Sequence, residues 1–88
     1  MSAKGTVPDA RTVTLRFVRS YEELRYLGKV KTKSEFAAKV GIATASNITR
    51  MEKNENNAPS LNSICLLFSE YNVNPDWLFF GKKPFLRE

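Results

Sequence analysis

Apolar and polar positions alternate along this chain with the period of short helices, and five segments stand out. From about Thr14 to Leu27, Phe17, Tyr21 and Leu24 make one stripe, Val18 and Leu27 widen it, and Gly28 ends it. Arg16, Arg19, Glu22, Glu23 and Arg25 fall on the opposite, solvated face, and Tyr26 stands with Glu22. A second helix is expected over residues 33–40. Thr32 followed three residues later by Glu35 is a capping box, Phe36, Ala37 and Val40 share a face, and Gly41 can take the left-handed conformation that stops a helix, with Ile42 tucked behind it. A third, over about 44–52, buries Ile48 and Met51, with Thr44 one turn before them. Ser60 caps a fourth, reaching Tyr71, whose buried stripe is Leu61, Ile64, Leu67, Phe68 and Tyr71. Asn74-Pro75-Asp76 starts a fifth over 75–80, since Asn caps, Pro needs no N–H in the first turn and Asp complements the helix dipole. Trp77 and Leu78 anchor it and Gly81 ends it. The pattern predicts an all-α fold.

The remaining segments are connectors and ends. Residues 1–13 hold Gly5 and Pro8 without a sustained period and read as a flexible N-terminal arm, in which Lys4 and Arg11 either fray with the chain or reach a phosphate. In Gly28-Lys29-Val30-Lys31-Thr32-Lys33, Val30 packs inward while the three lysines bracket the free N–H groups of the next helix. That is either a phosphate site or a solvated connector. Residues 53–60 form a turn-rich loop whose Asn side chains could also meet a phosphate. The domain proper spans 14–81, leaving 82–88 as a C-terminal tail.

The third helix carries the candidate chemistry. With Ile48 inward, steps of about 100° turn Ser46, Arg50 and Lys53 outward and leave Asn47 and Thr49 on the flanks. Ser, Asn and Thr weaken so short a helix, whereas a face that only needs wetting is usually built from better helix formers. Either the face reads another molecule or it is solvated and happens to be rich in these residues.

Composition narrows the classes. Eighty-eight residues with 42% hydrophobic and 26% charged content suit one small globular domain. Fourteen Lys and Arg against nine Asp and Glu give a net charge of +5, which favours polyanionic partners. With no His and only Cys65, the chain has no Cys/His zinc site, no intrachain disulfide and none of the usual nucleophile and base pairings. No enzyme activity, metal or cofactor is expected, and Cys65 reads as a small, partly buried hydrophobe. No apolar run approaches the ~20 residues of a membrane span, and no signal-peptide core is present, so a cytoplasmic setting is expected.

Ser34-Glu35-Phe36-Ala37, Val40-Gly41-Ile42, Ile48-Thr49-Arg50-Met51-Glu52, Pro59-Ser60-Leu61 and Asn74-Pro75-Asp76-Trp77-Leu78 occur in that order. In these pieces, covering most of residues 14–81, the chain resembles the lambda-repressor and Cro-like helix-turn-helix family of transcriptional regulators, of the xenobiotic-response-element type. The turn after Ile42 has room for one residue more than in the commonest members. The resemblance implies a five-helix DNA-binding domain with a central helix-turn-helix. It further implies sequence-specific binding of double-stranded DNA and repressor-like regulation of transcription, with the third helix in the major groove. Base reading would then fall to Ser46, Asn47, Thr49 and Arg50, with Arg50 suited to guanine and Asn47 to adenine. Lys29, Lys31, Lys33, Ser34, Lys39 and Lys53 would hold phosphates. Because one such motif touches one half-site, and because the aromatic end has no evident core beyond Pro84, a homodimer through Phe79, Phe80 and Phe85 is expected. The competing expectation for the tail is that it folds back over the first helix. The alternative function is a protein-interaction module, such as an antitoxin or adaptor, that docks by its aromatic C-terminus. RNA binding lacks an aromatic stacking platform on the candidate face, and no small-molecule ligand is inferred.

Overall fold

A computed structural model describes residues 7–53 and 56–87. Among them the chain forms five helices, α1 Ala10–Tyr26, α2 Lys33–Lys39, α3 Ala45–Lys53, α4 Leu61–Tyr71 and α5 Pro75–Phe80, plus an isolated antiparallel bridge between Val73 and Leu86. The protein is all-α. Helix α1 packs against α3 and α5, and α2 against α3 and α4. The core centres on Phe36, fully buried, whose ring lies 5.7 Å from those of Phe17 and Tyr21 and 5.9 Å from that of Tyr71. Ala37 and Val40 are buried beside it, as the helical spacing predicts, together with Leu24, Ile48, Leu67, Val73 and Leu78.

Local signals account for most helix ends. Thr32 Oγ1 accepts from the Glu35 N–H at 3.1 Å, Ser60 Oγ from that of Ser63 at 3.1 Å, and Asn74 Oδ1 from that of Asp76 at 3.1 Å. Gly41 and Gly81 adopt φ of 74° and 73°, where an L side chain is strained. At Gly81 an added Cβ would also stand 2.9 Å from the Arg16 guanidinium.

The first helix starts four residues earlier than its apolar stripe suggests. Asp9 is the cap: its carboxylate accepts from the Thr12 N–H at 2.9 Å and from Thr12 Oγ1 at 3.0 Å, bonds that hold it below the ordinary carboxylate range. Val13 then joins the stripe one turn before Phe17, so residues 10–13 belong to the domain and not to the arm. Lys4 of the expected arm lies outside the described residues, as do Asn54 and Glu55 of the loop after α3.

Helix α4 turns the expected side inward, with Leu67 in the core and Ile64, Phe68 and Tyr71 packed against it, and departs from expectation at Leu61 and Cys65. Ser63 and Leu67, one turn apart, define its buried line. Leu61 and Cys65 each stand two residues, about 200°, away from a member of that line, so Leu61 is 76% exposed and Cys65 is exposed rather than partly buried. Leu27, expected to widen the α1 stripe, lies past the helix end as its C-cap and is also exposed.

The tail does not lack a core. After Gly81 the chain reverses and is clasped to the α4–α5 connector: Asn74 N–H donates to Phe85 O at 2.7 Å and Arg87 N–H to Asn72 O at 2.9 Å. The side-chain amides of Asn72 and Asn74 donate to Arg87 O at 3.0 Å and Pro84 O at 2.8 Å. Phe85 packs edge-on against Trp77, with ring centroids 4.5 Å apart, and Phe79 edge-on against Phe68 at 6.0 Å. Two of the three aromatics expected at a dimer interface are therefore half-buried within their own chain, and Phe80, 42% exposed, remains at the surface.

Candidate nucleic-acid interface

Helix α3 is held from behind and from its end. Ile48 and Met51 fix its inner face in the core, and the Arg11 guanidinium donates to Met51 O and Glu52 O, each at 2.7 Å. A cation on the last carbonyls satisfies orphan acceptors and opposes the negative end of the helix dipole. Arg11 is thus committed to α3. Arg16 serves α5 in the same way, through Leu78 O at 3.3 Å and Phe79 O at 3.2 Å, and does not belong to a merely solvated face.

The outer face of α3 has the predicted composition. Ser46, Arg50 and Lys53 are exposed, with Asn47 and Thr49 half-buried on the flanks. Arg50 Nη1 donates to Asn47 Oδ1 at 3.2 Å, one turn away, which restrains both side chains. Ser46 Oγ lies 2.9 Å from Thr44 Oγ1. Thr44 is exposed and not inward, because α3 begins at Ala45 and Thr44 precedes its wheel. Beside this face, Asn47 and Arg50 form one wall of an open cleft of about 440 Å³ whose other wall includes Asn56, Asn57 and Ser60. The loop asparagines therefore join the α3 face.

The expected phosphate contacts divide. Lys33 Nζ donates to Thr49 Oγ1 at 3.1 Å and lies 5.9 Å from the centre of the Tyr21 ring, so this lysine links α2, α3 and α1. Thr49 accepts that bond and keeps its own O–H for an external acceptor. Lys39 Nζ is 3.8 Å from Glu70 Oε1, which draws it toward α4. Lys29 and Lys31 are exposed on the α1–α2 connector, Ser34 is exposed in the first turn of α2, and Lys53 ends α3. At the start of α2 the Glu35 carboxylate reaches back to the Lys31 N–H at 3.1 Å, one residue beyond the cap. It occupies a donor and adds negative charge where a phosphate was expected, leaving the lysine side chains as the free cationic groups of that connector.

Sequence periodicity gave no sign of the two arginine caps, whose partners lie 40 and 62 residues away. No family model, curated protein or solved structure matches the chain. Among the described residues, no helix is long and apolar enough to cross a membrane.

Proposed function

We propose that this protein binds double-stranded DNA sequence-specifically through α3, as a cytoplasmic transcriptional regulator of the lambda-repressor and Cro-like helix-turn-helix type. The observation that carries the reading is the outward face of exposed Ser46 and Arg50 flanked by half-buried Asn47 and Thr49, on a helix anchored by Ile48, Met51 and Arg11, in a chain of net charge +5. In this reading the N-terminal half of α3 enters the major groove, where Arg50 presents two donors to a guanine edge and Asn47 a donor and an acceptor to an adenine. The Arg50–Asn47 bond restrains both before binding, which lowers the ordering cost. Thr49 and Ser46 supply hydroxyl donors, and Lys29, Lys31 and Lys53 lie on phosphates. Because one such module covers one half-site, we further propose that it acts as a homodimer on half-sites about 34 Å apart.

Selection of preferred sites from a random duplex pool, followed by titration at several salt concentrations, tests the reading. Affinity is expected to fall with salt by about 0.9 log unit per log unit for each phosphate neutralised. Arg50→Ala is expected to cost roughly 1–3 kcal/mol on the preferred site and to relax one base position without unfolding the domain. A salt response that is flat on every duplex overturns the proposal in favour of a protein-interaction module.

A further inference from the structure

The first residue of α2 reaches two other helices. The Lys33 ammonium lies 3.1 Å from Thr49 Oγ1 on α3 and 5.9 Å from the centre of the Tyr21 ring on α1, and Lys33 and Thr49 are both half-buried. The aromatic face attracts the cation, and among the described residues no carboxylate pairs with it, so its full charge bears on the Thr49 oxygen. An ammonium has donors and no acceptor, which fixes the direction of the bond: Thr49 Oγ1 accepts.

We infer that Lys33 is a specificity-determining residue: it turns Thr49 into a hydrogen-bond donor toward the DNA, so that the base Thr49 contacts must present an acceptor and cytosine is refused there. This role presupposes the DNA reading and adds a base preference to it. A free threonine hydroxyl both donates and accepts, and so serves any base. With one lone pair held by an ammonium the hydroxyl is polarised toward donation, because hydrogen bonds in a chain strengthen one another. An amino group offered to the remaining lone pair would also face the Lys33 charge, in an interface where exclusion of water leaves the repulsion weakly screened. In the major groove guanine presents O6 and N7, adenine N7 and thymine O4, whereas cytosine presents only its N4 amino donor. One base of the four is thereby excluded. The neighbouring readers are not polarised in this way. Ser46 shares a hydrogen bond with Thr44 in which either oxygen can donate, and Asn47 keeps an acceptor lone pair beside the one that Arg50 occupies.

Site selection from a random duplex pool with wild type, Thr49→Val and Lys33→Met tests this role. The position whose preference changes in Thr49→Val is the one Thr49 reads, since that variant keeps the shape and loses the hydroxyl. There the wild type is expected to bind cytosine, on the contacted strand, roughly tenfold more weakly than the other three bases. Lys33→Met keeps an unbranched stem and removes the donor. Cytosine should then rise to within about twofold of the other bases at that position alone, on top of a general loss of affinity from the missing charge. Lys33→Arg, which keeps a donor, should retain the exclusion. Thermal melts verify the fold of each variant, and the comparison of wild type with Thr49→Val decides the outcome even if Lys33→Met does not fold. Cytosine accepted by the wild type at the Thr49 position overturns the inference, and so does an exclusion that survives in folded Lys33→Met. Weakening of all sequences alike in Lys33→Met, with every base preference intact, would reduce Lys33 to a phosphate contact. A pool that yields no preferred site removes the DNA reading and this role together, whereas a preferred site that tolerates cytosine removes this role alone.

Discussion

Arg11 and Arg16 show how much a single side chain can decide. Both lie on α1, yet each closes the C-terminal end of a different helix through two backbone carbonyls. Charged hydrogen bonds of this kind contribute roughly 1.5–3 kcal/mol when sheltered, and less when partly in water. Arg11→Met is therefore expected to lower unfolding stability by about 2 kcal/mol, read from urea denaturation, and, under the proposed function, to weaken DNA binding in proportion to the loss of order at the end of α3. Tyr71 makes the opposite case. Its ring stacks on Phe36, but among the described residues its buried hydroxyl has no hydrogen-bond partner. Burial, and then the charges of Glu35 and Glu70, push its phenol above the ordinary value. The unfolded chain then loses this proton first, so the stabilisation is complete below the free tyrosine range and is lost as pH rises through the folded value. Urea midpoints at about pH 8 and about pH 11 should differ less in Tyr71→Phe than in the wild type. That variant should also gain roughly 1 kcal/mol at neutral pH by removing an unsatisfied hydroxyl.

At the scale of elements, α2 and α3 act as one unit because Lys33 bonds Thr49 while their apolar faces, Phe36 with Val40 and Ile48 with Met51, share the core. The candidate lysines are consequently not equivalent. Under the proposed function, Lys31→Ala is expected to weaken binding to all duplexes alike and to flatten the salt slope by about 0.9, with no change in melting temperature. Lys33→Ala should in addition destabilise the fold by about 1 kcal/mol, because it removes an interhelical hydrogen bond and the contact with the Tyr21 ring. Salt titrations and thermal melts on the two variants separate these behaviours.

In the whole molecule, the last residues complete the domain instead of trailing from it. The clasp of 84–87 against 72–74 covers Trp77 with Phe85 and brings Val73, fully buried, into pairing with Leu86. Phe85→Ala should cost about 1–3 kcal/mol, below the penalty for a fully buried phenylalanine because this ring is half-buried. Trp77 is the chain's one tryptophan, so loss of its near-ultraviolet dichroism would report the change directly. Retention of both stability and that signal would show that the tail contributes nothing to the core.

The helices and most of their ends are legible in the chain alone, because caps, stop glycines and apolar spacing act within one or two turns. Thr32 with Glu35, Ser60, and Asn74-Pro75 could be read without coordinates, and α5 spans the expected residues. The outward set Ser46, Arg50 and Lys53 was legible for the same reason, since Ile48 fixes the wheel of α3. Tertiary packing alone leaves Leu61 in water, makes Arg11 and Arg16 cap distant helices, ties Lys33 to Thr49 and returns the tail to Trp77. Each depends on residues far apart in sequence, whose approach is set by how the helices pack and leaves no periodic trace in the chain.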